Sequence, residues 1–318
     1  MVRKSQGAKV VNLSSQRLLR QLYELDTAYN SFLQGYYGKS PNTYEYYRYQ
    51  LATFITFVKD RGFPEDVREL AKVHILAFLE HHRKEGAADS TLHIKYRTLK
   101  RFFNWLTEEE YIPKSPMERI NPPTLTKKVI IPFSPEDIRT MLRVCETDND
   151  KEKGARDKAI ILMLFDTGLR VSELCSLSLQ DMDKGKTLWV HGKGSKQRWV
   201  ALGQQVQKAL RRYLSLRNDE HSALFVGIKG PLTRSGILQM VKERAAQAGV
   251  RGVRTSPHTL RHTFAINFLR NGGNVFELQY LLGHSSLDIV KRYLGALNAE
   301  DAARAHQKYS PADKIGLR

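Results

Sequence analysis

The chain has 318 residues, 41% of them hydrophobic, and carries 51 Lys and Arg against 33 Asp and Glu, a formal net charge of +18. One hydrophobic core rarely fills that length, so two domains are expected, and such a charge favours a polyanionic partner. No run of about 18 apolar residues is available to span a bilayer, the opening MVRKSQGAKVVNLSSQ lacks the apolar stretch of a secretory signal, and two cysteines, Cys145 and Cys175, make no disulfide framework. The expectation is a cytoplasmic, nucleic-acid-binding protein with no membrane partner.

Residues 1–17 read as a loose polar start. From about Leu18 the pattern turns helical: Leu18, Leu22 and Leu25 share a face that Tyr29 and Phe32 extend. SPNT at 40–43 signals a second helix, which aligns Tyr47, Leu51, Phe54 and Val58 and stops at Gly62. A third carries Val73, Leu76, Phe78 and Leu79 and ends near Gly86. A fourth opens at Asp89 and Ser90 and buries Leu92, Tyr96, Leu99, Phe103 and Leu106; its other face holds Lys95, Arg97, Lys100, Arg101 and Asn104. Four amphipathic helices over 18–120 make a small all-helical bundle. Its aromatic residues read as core, and the basic face of the fourth helix reads as facing a nucleic-acid groove.

Prolines at 113, 116, 122, 123 and 132 then break helical structure and stiffen the chain, placing a linker at 121–132 beside the Lys127–Lys128 pair. Residues 133–318 are mixed and mainly helical. SPEDIRTMLRVC and RDKAIILMLFDTG read as helices, the second apolar enough to be central. KTLWVHG and QRWVALG are strand-like runs around GKGSK, a hairpin and hence a small antiparallel sheet. Helical patterns follow at 203–217, 233–248, 258–271, 274–282 and 286–295, with a tail at 296–318.

The chemistry-bearing residues fall in five segments: TGLRVSEL, HGKGSKQRWVAL, HTLRH, LGHSS and VKRYL. Arg170 follows Gly168 at the end of an apolar helix, where it points to solvent or into a cleft. His258 and Arg261 project together from a first helical turn, whose free N–H groups also favour an anion. Guanidinium groups fork onto phosphate oxygens, so these residues make a phosphate cradle if they converge. Lys193 lies between two glycines on a hairpin tip; taken alone, it reads as an ordinary turn lysine. His258 and His262 have the i, i+4 spacing of metal ligands, but Thr259 stands where a metalloprotease needs Glu and Arg261 is adjacent, so no metal is expected. GKGSK lacks the spacing of a nucleotide-binding loop, so no cofactor is expected either. Phosphoryl chemistry without a metal or ATP then needs a protein nucleophile. Tyr293, nine residues after His284, is the candidate. An ordinary phenol, with pKa about 10, is ionised in only about one molecule in a thousand at pH 7, so it needs either a base or strong cations nearby.

In order and in spacing, these five segments resemble the tyrosine recombinases, the phage integrase family, in its Xer-like or mobile-element integrase branches; the likeness covers roughly 130–310 strongly. Residues 18–110 are more distantly similar to the family's helical core-binding, SAM-like domain. The resemblance implies that Arg170 and Arg261 bind the scissile phosphate, with His258 assisting and His284 donating a hydrogen bond to it. It further implies that Lys193 protonates the leaving 5′ oxygen, Tyr293 forms a 3′-phosphotyrosyl link, and Glu173 orients the cradle. His262 is not usually one of the catalytic set. Also implied are double-stranded DNA with inverted-repeat half-sites, a homotetramer exchanging its C-terminal segments (296–318 here) and accessory proteins. Integration or excision of a mobile element and resolution of dimers are the expected roles. Two other readings stand beside it: a DNA-binding protein of the same fold without catalysis, which the filled catalytic positions oppose, and a type IB topoisomerase-like nicking-closing enzyme, which the compact helical N-domain disfavours.

Overall fold

The computed structural model describes residues 21–36, 40–125, 130–192 and 197–283, with Tyr293, Asp301, Ala303, His306 and Gln307. Lys193 and His284 lie outside the described residues. The chain forms two compact units, Met1–Lys128 and Val129–Arg318.

The first unit is helical: α1 (Leu25–Gln34), α2 (Pro41–Asp60), α3 (Lys72–Lys84) and α4 (Asp89–Glu108). Proline in the first turn of α2 supplies a preset φ where no N–H is needed. Leu25, Phe32, Leu51, Phe54, Val58, Ile75, Phe78, Leu99, Phe103 and Leu106 are buried together, each contributing about 1.5–3 kcal/mol by leaving water. Phe54 meets Phe78 edge-on at 5.2 Å between ring centres. The buried face of α3 differs from the sequence expectation. Ile75, Phe78 and Leu79 point inward, while Val73 and Leu76 are 64% and 42% exposed. Those two line a groove of about 620 Å³ with Leu92, Ile120 and Pro122.

The second unit is built around α6 (Lys151–Thr167), preceded by α5 (Pro135–Glu146). The Ser134 hydroxyl caps α5 by accepting from the Asp137 amide, and Asp137 returns the bond to the Ser134 amide. Asp150 caps α6 through the Lys153 amide. Ile160, Ile161, Met163 and Leu164 are fully buried, so α6 has no solvent side over this stretch. After the short α7 (Val171–Ser176) come β1 (Met182–Asp183), β2 (Thr187–His191) and β3 (Gln197–Ala201). They form an antiparallel sheet in that order, with Leu188 opposite Val200 and Trp189 opposite Trp199. Leu188, Val190 and Val200 face the core, and Trp199 is half exposed on the outer side. Then follow α8 (Gln204–Leu216), the two-residue strands β4 (Val226–Gly227) and β5 (Gly230–Pro231), α9 (Arg234–Gln247), α10 (Pro257–Arg270) and α11 (Val275–Leu281). Buried Asp157 ties α6 to α9, accepting two bonds from Arg244.

Candidate active site

The site grows from the end of α6. Gly168 adopts φ +61° and closes the helix, its N–H donating to the Leu164 carbonyl. A side chain here would be strained by the backbone and would place Cβ 2.3 Å from Phe264 Cδ1. The turn buries Leu169 and presents Arg170 at the start of α7. One helical turn on, Glu173 reaches back: its Oε2 accepts from the Arg170 amide at 2.8 Å and its Oε1 from Arg170 Nη1 at 2.8 Å.

Arg198, on β3, completes the other side of that carboxylate. Its Nη1 and Nη2 donate to Glu173 Oε1 and Oε2 at 3.1 and 3.0 Å. Burial alone would raise the Glu173 carboxyl; the bonds from Arg198 and Arg170 outweigh it and hold the group below its ordinary 4.5. Arg261 arrives from α10 and is 3% exposed. Its Nη1 donates to the Gly168 carbonyl at 2.5 Å and its Nη2 to the Leu282 carbonyl at 2.8 Å. Burial, and then the nearby Arg170 charge, pull the Arg261 guanidinium down to about 10. At pH 7 that still leaves it charged in all but about one molecule in a thousand.

Three successive carbonyls at the end of α11 each hold a different arginine. Leu281 O accepts from Arg198 Nε at 2.9 Å, Leu282 O from Arg261, and Gly283 O from Arg170 Nη2 at 3.2 Å. Gly283 has φ +60°, and a Cβ there would stand 2.8 Å from Arg198 Nη1. Among the described residues of this cluster, the guanidinium groups of Arg170, Arg198 and Arg261 gather around the single carboxylate of Glu173.

The phenol lies beside it. Tyr293 is 3% exposed and packs with Phe264, Leu278 and Leu282. Its ring centre is 5.1 Å from that of His262, which in turn is 4.5 Å from exposed His258. The structure therefore brings together Arg170, Glu173, Arg261 and Tyr293, with His258 reaching the group through His262. Sequence reasoning passed over Arg198. The available signal was strand alternation, because Arg198 shares a face of β3 with buried Val200.

The basic face expected on α4 is divided. Arg97 and Lys100 are exposed. Lys95 is not on that face: it is 7% exposed, donates to Thr53 Oγ1 at 3.3 Å and sits 5.1 Å above the Phe78 ring. Burial accordingly lowers its pKa. Lys95 follows Leu92 by three and precedes Leu99 by four, which is the buried stripe itself. Arg101 is half-buried and engaged, bonded to Glu108 and to the Tyr36 hydroxyl. In the same unit His81, His82 and Glu85 offer metal-ligating atoms within 4.8 Å of one another, a grouping the sequence analysis did not single out. There Glu85 already bonds His82 Nδ1 at 3.0 Å.

Comparison with known proteins accords with this arrangement. The phage integrase family model matches residues 133–300, and the model of the phage integrase N-terminal SAM-like domain matches 27–110. Tyrosine recombinase XerC of Thermodesulfovibrio yellowstonii is 33% identical over 267 residues, covering 80% of this chain and 86% of the relative. Tyrosine recombinase XerD of Oceanobacillus iheyensis is 30% identical over 289 residues, covering 88% and 96%. The fold is shared with the Tn1549 transposon integrase in complex with transposon right end DNA, at a TM-score of 0.74 and 19% identity, covering 90% of this chain and 99% of that one. It is also shared with a lambda integrase dimer bound to a COC′ core site, at 0.69 and 17%, covering 84% and 97%. Both units are matched, and the longer match contains every position from Arg170 to Tyr293: this chain belongs to the phage integrase family, the tyrosine recombinases.

Proposed function

We propose how this tyrosine recombinase carries out site-specific recombination of DNA. The Tyr293 oxygen attacks the scissile phosphorus, the bond to the 5′ oxygen breaks, and a 3′-phosphotyrosyl ester forms. The tyrosine proton leaves toward His258, and Lys193 supplies a proton to the departing 5′ oxygen. A 5′ hydroxyl from the partner strand then attacks the ester and releases Tyr293. One phosphodiester is conserved throughout, so exchange needs no ATP and no metal.

The observation that carries this reading is the gathering of Arg170, Arg198 and Arg261 at Glu173, with the Tyr293 ring close by. An attacked phosphodiester passes from one negative charge toward two on its non-bridging oxygens. The guanidinium groups of Arg170 and Arg261 place positive charge where that demand grows. Donors fixed in place before reaction, in a site with little water, are worth more than the same donors in solution. Arg170 and Arg261 are assigned to the phosphate, Glu173 to aiming Arg170, and His284 to a further hydrogen bond. The helical unit is assigned to the duplex, with Arg97 and Lys100 on its exposed face.

The proposed assembly is a homotetramer on two sites of inverted-repeat half-sites, joined by exchange of residues 296–318 and aided by accessory proteins. Its proposed place of action is the cytoplasm, on the nucleoid; among the described residues no helix is long and apolar enough to cross a membrane. The same chemistry serves integration or excision of a mobile element and resolution of dimers. To test it, the chain is incubated with genomic DNA of its source and denatured, and the DNA left attached to protein is sequenced. The parent chain should retain DNA through a 3′ end at one recurring sequence, whose context separates the roles. Tyr293→Phe should bind DNA and retain none after denaturation. Adducts persisting in Tyr293→Phe would remove Tyr293 from the mechanism.

A further inference from the structure

We infer that Arg198 is a positioning residue for strand cleavage, fixing both the carboxylate that aims Arg170 and the turn Leu281–Gly283. The inference rests on the recombinase reading above and adds to it a residue outside the six assigned to the chemistry and outside Glu173.

Arg198 is 6% exposed on a strand whose inward face is otherwise apolar. A buried cation is costly unless its N–H groups are satisfied. Here the fork of two terminal nitrogens spans both oxygens of Glu173, and the Nε–H is taken by the Leu281 carbonyl. Leu281 is the last residue of α11, so its carbonyl has no partner within the helix. Arg198 thus ends α11 and anchors Glu173 in one stroke.

The consequence falls on Arg170. Without Arg198, the remaining bonds to Glu173 all come from Arg170, through its amide and Nη1. The carboxylate would then swing onto the Arg170 guanidinium, pair with it face to face and neutralise it. With Arg198 covering the carboxylate's other side, the Arg170 guanidinium gives it Nη1 alone, and 38% of the Arg170 side chain stays exposed. The Gly283 backbone closes the arrangement, since a Cβ there would meet Arg198 Nη1 at 2.8 Å and Arg170 Nη1 at 3.5 Å.

The test uses the full chain and the duplex recovered by adduct sequencing, so failure of the recombinase reading appears earlier, as no adduct from the parent. Single-turnover cleavage is measured on that duplex with an ordinary scissile phosphodiester and with a methylphosphonate, in which one non-bridging oxygen is a neutral methyl. A neutral phosphorus centre depends less on where Arg170 puts its charge. Arg198→Met should cut the phosphodiester about 10²-fold more slowly, bind the duplex within about threefold of the parent, and lose only about tenfold or less on the methylphosphonate. Arg198→Lys, with charge but no fork, should fall between parent and Met. If the Met variant fails to fold by circular dichroism, the Lys variant carries the comparison, with the same pattern at smaller size. Equal losses on both substrates, an affinity loss as large as the rate loss, or a Lys variant indistinguishable from the parent would overturn the inference.

Discussion

Replacing Gly168 by Ala adds one methyl at the corner from which the arginine cluster starts. Two costs follow from the structure. The backbone there is left-handed at φ +61°, which an L side chain adopts at about 1–2 kcal/mol. The added carbon would also stand 2.3 Å from Phe264 Cδ1 and 2.9 Å from Leu282 Cδ2. Both neighbours are buried, so making room costs about 1–3 kcal/mol. Together these give about 2–5 kcal/mol. For a unit the size of Val129–Arg318, each kcal/mol moves the melting temperature roughly 2–4 °C, so a drop of roughly 4–20 °C is expected. Differential scanning calorimetry of the full chain reads it, in the transition of that unit. Cleavage should fall as well, because Phe264 packs with Tyr293 and the Gly168 carbonyl holds Arg261. A melting temperature within about 1 °C of the parent, with normal cleavage, would refute the reasoning, since it requires both neighbours to yield at no cost.

Glu173→Gln removes the carboxylate charge from between two guanidinium groups and should destabilise the chain by about 3–5 kcal/mol at neutral pH in urea titrations. The sign of its pH dependence is fixed. The folded carboxyl is held below 4.5, so the unfolded chain binds the extra proton in the window beneath that value. The stabilisation is present above it and is lost as pH falls through the depressed folded value. Parent and variant should therefore converge in acid; a gap that widens there would contradict the assignment. On α4, Arg97→Ala and Lys100→Ala should each reduce the slope of log affinity against log salt for duplex binding by about one. Lys95→Met should leave that slope unchanged, and an equal reduction would place the Lys95 ammonium at the DNA after all.

The helices of the first unit were legible because their apolar residues recur at helical spacing and their ends are punctuated: SPNT before Pro41–Asp60, Gly62 after it. What failed was the assignment of faces. Val73 and Leu76 are apolar and exposed, Ile75 apolar and buried, and only the neighbouring helices decide which side of Lys72–Lys84 is covered. Lys95 was misplaced by reading charge before phase, although its own spacing from Leu92 and Leu99 put it inside. In the second unit the motif residues announced themselves by type. The bonds between them did not, because each spans a long stretch of sequence: Arg261 to Gly168, Arg198 to Leu281, Arg170 to Gly283. Arg198 in particular looked like one basic residue among many in a chain with 51.

That the three arginines rest on peptide oxygens has a consequence for the working range of the enzyme. A peptide group orients a cation through its dipole and has no proton to gain or lose between mild acid and mild alkali. The scaffold for Arg198, Arg261 and Arg170 on residues 281–283 therefore stays the same across that range. Aspartates in those three places would have held the side chains equally well and cancelled the field that draws in a nucleic-acid backbone.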